Sequence, residues 1–168
     1  MKFDEERVAC SVLTVMLGMA IPFTNGSPVP RHSQQAQQSQ SQDVQDIEER
    51  SVGLVIPTPE ASVKFRLAGG GFVERTTDGG ATWDGQMVSP NAKLNAGAAP
   101  GAKICWLVGR EGRIFLTRDG TNWEKIRAPA QLDFIGVTAL DGSSATVTAV
   151  DKRKFATVNR GKGWRPAS

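Results

Sequence analysis

The chain has 168 residues, a formal net charge of +3 and 39% hydrophobic residues, which suffices for one folded domain with appendages. Its two cysteines, Cys10 and Cys105, are far apart in sequence and do not suggest a disulfide framework of the kind found in small secreted domains. Together with His32, the single histidine, they cannot supply the four ligands of a structural zinc site. We therefore expect neither a metal nor another cofactor.

The charge is distributed unevenly along the chain. Residues 1–59 contain four basic and seven acidic side chains, whereas residues 60–168 contain 16 basic and ten acidic ones. A basic domain of this kind can steer an acidic partner towards itself. The alternative is that the charges lie on solvated hairpin turns, where they protect an edge strand from pairing with other chains.

The first predicted unit, residues 1–30, is an apolar signal or anchor segment. Val8–Phe23 is uncharged and mostly apolar over sixteen residues, which is short for a membrane-spanning helix and long for the core of a signal peptide. We favour membrane anchoring through residues 8–23, with the following domain outside the cytoplasm, in the periplasm. Secretion after signal cleavage is the alternative, followed by a simple apolar tail or a misassigned start codon.

The second predicted unit, residues 31–59, is a linker rich in glutamine and serine. Residues 33–42 consist of serine, glutamine and alanine, and the charged stretch that follows offers little to bury. Such a composition cannot compensate for the entropy lost on folding. We therefore predict a disordered tether, which ends at Pro57 and Pro59.

Three near-copies of a short box follow at a regular interval. Each contains an aspartate or asparagine, then glycine, then a tryptophan, and the tryptophans are 40 and 41 residues apart. The Asp or Asn side chain can accept hydrogen bonds from nearby backbone N–H groups and close a tight turn, for which glycine supplies the positive φ. We predict this structural role for Asp78, Gly80 and Trp83, for Asp119, Gly120 and Trp123, and for Asn159, Gly161 and Trp164.

Each box lies within a repeated set of predicted strands rich in β-branched and aromatic residues. The first strands are Val63–Leu67, Ile104–Val108 and Ser144–Thr148. The second strands are Phe72–Thr76, Arg113–Thr117 and Lys154–Val158, and further strands are expected around Ala92–Ala98 and Phe134–Ala139. A period of about 40 residues with four-stranded units is typical of propeller blades. The sequence thus predicts an all-β fold, a partial β-propeller of three blades over residues 60–168.

The boxes match the Asp-box pattern Ser/Thr-x-Asp-x-Gly-x-Thr-Trp, most fully at Thr77–Trp83. The longer stretches Gly70–Trp83 and Cys105–Gly112 resemble the photosynthesis system II assembly factor-like propeller domain, a branch of the Asp-box, or BNR, repeats. The resemblance covers residues 60–168. It implies a non-catalytic, protein-binding propeller with a scaffold or assembly role at the membrane. Similar bacterial layouts imply an alternative, the extracytoplasmic sensor part of a membrane-tethered anti-sigma-type regulator.

Two other function classes fit the sequence less well. Asp-box propellers include sialidases and other glycosidases, but sialidases use a tyrosine nucleophile, and this chain contains no tyrosine. Its carboxylates outside the boxes, such as Glu74, Glu111 and Glu124, show no repeated pairing, so we expect no enzymatic activity. Nucleic-acid binding would use aromatic side chains between basic ones. Trp106 and Trp123 fall at strand or repeat positions and are better explained as core, so we expect no nucleic-acid partner.

The expected partner is therefore a protein, as yet unidentified. The candidate contact residues are the basic side chains on or near predicted turns: Arg66, Arg110, Arg113, Arg118, Arg153 and Lys154. Three blades are fewer than a closed propeller has, which leaves unpaired strand edges. The sequence leaves two outcomes open: a homodimer that completes a propeller, or a partial array that stands alone.

Overall fold

The computed structural model describes residues 53–168, which form twelve strands in three four-stranded antiparallel sheets. The first sheet contains β1 (Val55–Pro57), β2 (Lys64–Gly69), β3 (Phe72–Thr76) and β4 (Asp84–Met87). The second contains β5 (Leu94–Gly101), β6 (Ile104–Gly109), β7 (Ile114–Thr117) and β8 (Trp123–Ile126). The third contains β9 (Phe134–Ala139), β10 (Ala145–Ala149), β11 (Lys154–Thr157) and β12 (Arg165–Ala167).

Each sheet is one blade of a propeller-like array. Its four strands pair in sequence order, and no strand crosses from one sheet to another. Strands β5 and β9, expected from residues 92–98 and 134–139, begin the second and third blades. The described residues contain no helix, so the prediction of an all-β, partial propeller is confirmed. The anchor predicted at residues 8–23 lies outside the described residues, and no helix within 53–168 is suited to crossing a membrane.

The boundary of the linker requires a correction. Strand β1 lies within residues 31–59, all of which the sequence analysis assigned to the linker. The strand pairs with β2, from Val55 opposite Arg66 to Pro57 opposite Lys64, and Ile56 is buried in the core. A three-residue strand containing a proline has little pattern of its own, and it forms because its pairing partner is available. The first blade therefore begins at Val55.

The blades pack face to face around two apolar layers. In β6 the side chains alternate between them, because successive residues of a strand point to opposite faces. Cys105 and Leu107 join the core shared with the first blade, whereas Trp106 and Val108 join the core shared with the third. All four are fully buried, which explains why β6 reads as a continuous apolar run.

Two of the three box tryptophans tie neighbouring blades together. Trp123 donates its Nε1–H to Oε1 of Gln86 in the first blade at 2.9 Å. Trp164 donates to the carbonyl of Arg127, which follows the second blade, at 2.8 Å. Trp83, in the first blade, donates instead to the carbonyl of Gly80 within its own turn, at 3.1 Å.

The two outward faces of the array differ from the faces packed inside it. Towards the preceding blade, the second blade presents the opposed residues Leu107 and Phe115, both buried. The first blade has Arg66 opposite Glu74 at the same place, joined by an ion pair in which Arg66 Nε donates to Glu74 Oε2 at 2.6 Å. The Arg66 guanidinium also lies 4.2 Å from the centre of the Trp83 ring. This outward face is therefore charged where the equivalent inner face is apolar.

The far face of the third blade shows the same kind of change. Towards the following blade, the second blade presents Trp106 opposite Leu116, both buried. The third blade has Thr146 opposite Ala156 there. Smaller and more polar side chains thus replace the large apolar ones on the outward face.

Candidate functional site

The three box turns lie at one end of the blades, which we call the box end. In the first, the Asp78 carboxylate accepts hydrogen bonds from Thr82 Oγ1 at 2.6 Å and from Thr82 N at 3.0 Å. These bonds, with a further one from Thr76, hold the pKa of Asp78 well below its usual range. The carboxylate is a fixed acceptor for its own turn, which leaves it unsuited to proton transfer.

The second and third boxes use the same device. Asp119 accepts hydrogen bonds from the Asn122 side chain and backbone N, each at 2.7 Å, which hold its pKa well below the usual range. In the third box Asn159 Oδ1 accepts from Gly163 N at 2.9 Å. An amide oxygen thus takes the place of the carboxylate oxygen, because the turn needs only an acceptor.

A buried threonine lies behind each box, and sequence reasoning did not single it out. Thr76, Thr117 and Thr157 are 1%, 0% and 3% exposed. Their hydroxyl oxygens accept from the glycine N–H groups of the turns, Thr76 from Gly80 at 2.9 Å and Thr157 from Gly161 at 3.0 Å. The signal in the sequence is positional, since each threonine precedes the box Asp or Asn by two residues.

The opposite end of the blades carries the turns between second and third strands and the connections between blades. Backbone hydrogen bonds join these segments. Arg110 N, in the β6–β7 turn, donates to the carbonyl of Lys93 at 2.9 Å. The connection before β9 joins two turns, because Asp133 Oδ1 accepts from Glu111 N and its carbonyl accepts from Val150 N, both at 2.9 Å. The turns and connections therefore form one continuous edge.

We call this edge the basic rim, because seven basic side chains meet three acidic ones along it. The basic residues are Lys93, Arg110, Arg113, Arg127, Lys152, Arg153 and Lys154, and the acidic ones are Glu111, Asp133 and Asp151. Arg113 lies 3.4 Å from Glu111, and Arg153 lies 2.7 Å from Asp151. The hydrogen bond from the Arg153 side chain lowers the pKa of Asp151, and the same contact raises the pKa of Arg153. The acidic groups are thus already engaged, and the rim keeps an excess of positive charge.

Two shallow depressions open onto the basic rim. One, of about 370 Å³, lies beside the β6–β7 turn and is lined by Glu111, Lys125 and Arg127 among others. The other, of about 410 Å³, lies at the third blade between Lys152 and Pro166. Both are open and bordered by basic side chains, which suits an extended segment better than an enclosed small molecule.

The six predicted contact residues do not form one patch. Four of them, Arg110, Arg113, Arg153 and Lys154, lie on the basic rim, as defined above. Arg118 lies at the box end, within 3.5 Å of Glu124. Arg66 lies on the outward face of the first blade. Lys93 and Arg127 were missed, although both follow the fourth strand of a blade, and in a propeller such connections lie at the same end as the turns between second and third strands.

The carboxylates weighed as catalytic candidates are each held by an arginine. Glu74 pairs with Arg66, and Glu111 and Glu124 pair with arginines of their own blade. Cys105 is fully buried, and burial raises the pKa of its thiol. Within residues 53–168 no group of His, Cys, Asp and Glu side chains could hold a metal ion.

The comparisons with known proteins identify the fold. No protein-family model matches the chain, and no curated protein matches it. The solved structure described as YCF48 bound to D1 peptide is 19% identical, with a TM-score of 0.60 over 69% of this chain and 40% of that one. YCF48 from Cyanidioschyzon merolae is 22% identical, with a TM-score of 0.59 over 67% of this chain and 35% of that one.

Residues 53–168 share the fold of part of YCF48. The chain spans less than half the length of either solved structure. At this identity the likeness concerns the fold, and it agrees with the propeller-like architecture implied by the boxes.

Proposed function

We propose that residues 53–168 form a non-catalytic protein-binding module, whose basic rim binds an extended, acidic segment of a partner protein. The observation that carries this proposal is the gathering of seven basic side chains at the end opposite the boxes. The three acidic side chains of the rim are already hydrogen-bonded or ion-paired there, and the basic side chains outnumber them by four. A propeller-like neighbour whose structure is described as bound to a peptide supports this kind of ligand.

The proposal extends to a scaffold or assembly role at the membrane, by resemblance to the assembly factor-like domains. Anchoring through residues 8–23 and a periplasmic position of the blades are part of it, and secretion after signal cleavage is the alternative. The sensor role in an anti-sigma-type regulator would use the same rim. The absence of catalysis is also proposed, and the arginine pairing of Glu74, Glu111 and Glu124 supports it.

The experiment that tests the peptide-binding role compares charge reversals at the two ends of the blades. Arg127→Glu with Lys154→Glu changes the rim, and Lys103→Glu with Lys162→Glu makes the same change in net charge at the box end. All four side chains are exposed. The probe is a fluorescein-labelled peptide of alternating glutamate and serine, whose binding is followed by anisotropy at about 0.15 M ionic strength, where the Debye length is about 8 Å.

We expect the rim variant to bind the probe about tenfold more weakly, because each exposed charge contact contributes about 0.2–1 kcal/mol and reversal replaces attraction by repulsion. The box-end variant should bind within about twofold of the unmodified chain, since its changed charges lie outside the site. Equal losses in both variants would indicate attraction by net charge alone and would refute a site at the rim.

A further inference from the structure

The polypeptide enters its first blade at the basic rim. Gly53 N donates to the carbonyl of Leu67 at 2.7 Å, close to the turn between β2 and β3. Val55 then pairs with Arg66, and β1 runs from there towards the box end. The sequence before Gly53 is therefore joined to the domain at the end that carries the basic rim.

The sequence that precedes this entry point is acidic. Asp43, Asp46, Glu48 and Glu49 fall within seven residues, with Arg50 as the one base beside them. The rim carries the opposite excess, and the two are parts of one chain. Opposite charges close to each other on one chain attract more strongly than the same charges on separate molecules at ordinary concentrations.

The connection is long enough for contact with the whole rim. An extended chain spans at most about 3.3–3.6 Å per residue, so Glu49 can reach roughly 14 Å from Gly53 and Asp43 roughly 35 Å. Packed sheets lie roughly 10 Å apart, which places the third blade roughly 20 Å from the first. The acidic residues can thus meet the β6–β7 turn and the basic turn of the third blade.

We propose that residues 43–49 bind the basic rim of their own chain and compete there with the acidic segment of a partner. This inference rests on the proposed peptide-binding role of the rim. A connection of only a few residues gives an effective concentration in the millimolar range. A segment with a dissociation constant of about 1 mM would then weaken a competing peptide about twofold, and one of about 0.1 mM about tenfold.

The first test detects the contact without any added peptide. A carbodiimide couples a carboxylate to a lysine amine, with the released water taken up as the reagent becomes a urea. In the full chain we expect amide cross-links from residues 43–49 to Lys152 and Lys154, mapped by mass spectrometry. Lys103 and Lys162 at the box end are the matched lysines and should form few.

The yield at the rim should not depend on protein concentration, because the contact is within one chain. It should fall sharply in about 1 M salt, where the Debye length is about 3 Å. Equal yields at the two ends would overturn the proposal. A rim yield that salt leaves unchanged would also overturn it, because proximity through the connection would then account for the cross-links.

The second test measures competition. The variant carrying Asp43→Asn, Asp46→Asn, Glu48→Gln and Glu49→Gln should bind the glutamate–serine probe about two- to tenfold more tightly than the unmodified chain. Unchanged affinity, with the probe still bound, would refute the competition and leave the proposed function standing. A probe that binds neither form would refute the peptide-binding role, and the cross-linking result alone would then decide whether the segment docks.

Discussion

Substitution of a single glycine tests how tightly the second and third blades pack. Gly161 has φ of +74°, and a Cβ added there would run into the side chain of Ile126 in the second blade. Gly79, in the first box, has a similar φ of +81°, but a Cβ there would meet nothing within 4 Å. Gly79→Ala is thus a matched control that changes the backbone strain without changing the packing.

The expected losses of stability follow from backbone strain and from packing. A left-handed conformation costs an alanine about 1–2 kcal/mol, and the lower entropy of the unfolded chain returns about 0.4–1 kcal/mol. Gly79→Ala should therefore destabilise the fold by roughly 1 kcal/mol. Crowding a packed core adds about 1–3 kcal/mol, so Gly161→Ala should destabilise the fold by that much more than Gly79→Ala does. For a domain of this size the difference corresponds to roughly 4–12 °C in melting temperature.

The assay is thermal and urea unfolding of the full chain, followed by tryptophan fluorescence. The fluorescence of Trp123 and Trp164 reports directly on the contacts between blades, because each of these side chains donates a hydrogen bond to the preceding blade or its connection. Equal loss of stability in Gly161→Ala and Gly79→Ala would refute the reasoning, because Ile126 would then move aside without cost and the contact between blades would not be tight.

Two further predictions concern the boxes and the outward faces. Hydrogen bonds from Thr82 lower the folded-state pKa of Asp78 below the ordinary aspartate value of 3.8, so this carboxylate stabilises the fold above that pH and the contribution is lost as pH falls below it. The difference in melting temperature between the unmodified chain and Asp78→Asn should therefore shrink from about pH 6 to about pH 2. Asn159→Ala removes a side chain that does not titrate, so it should lower the melting temperature by a similar amount at both pH values. Replacing Arg66 by leucine and Glu74 by phenylalanine should make the first outward face apolar and promote the homodimer predicted from open edges, measured as solution mass by light scattering. A dimer in the unmodified chain would show that the ion pair is no barrier to this association.

The strands were predictable because their signal is local and repeated. The β6 run from Ile104 to Gly109 is apolar on both faces, and the box that follows β7 fixes where β8 must begin. Because the pattern repeats about every 40 residues, the same strands and turn could be predicted in the weaker copies. These include the third box, which has Asn159 in place of aspartate. Strand β1 was not predicted, because three residues are too few to show an alternating pattern. Its position depends instead on pairing with β2.

The candidate site was predictable only in part, since it depends on which ends of the strands meet. Arg110 and Arg153 could be placed on turns from the glycines and charges around them. The same argument placed Arg118 with them, although it follows β7, the third strand of its blade, and so lies at the box end. The hydrogen bonds of Asp133 to Glu111 and Val150, which join neighbouring turns, come from residues 17–22 positions apart and have no signature in a single sequence.

Under the proposed function, the box end of the blades maintains the structure and the rim binds the partner. At the box end, Asp78 and Asp119 are committed to their own turns, so their substitution would change the fold before it changed a contact. At the rim the turns are held by backbone hydrogen bonds, such as Arg110 N to the carbonyl of Lys93. Side chains such as those of Lys152 and Lys154 are exposed and can change without disturbing those bonds. A partner-specific surface can therefore vary at the rim while the box end maintains the fold.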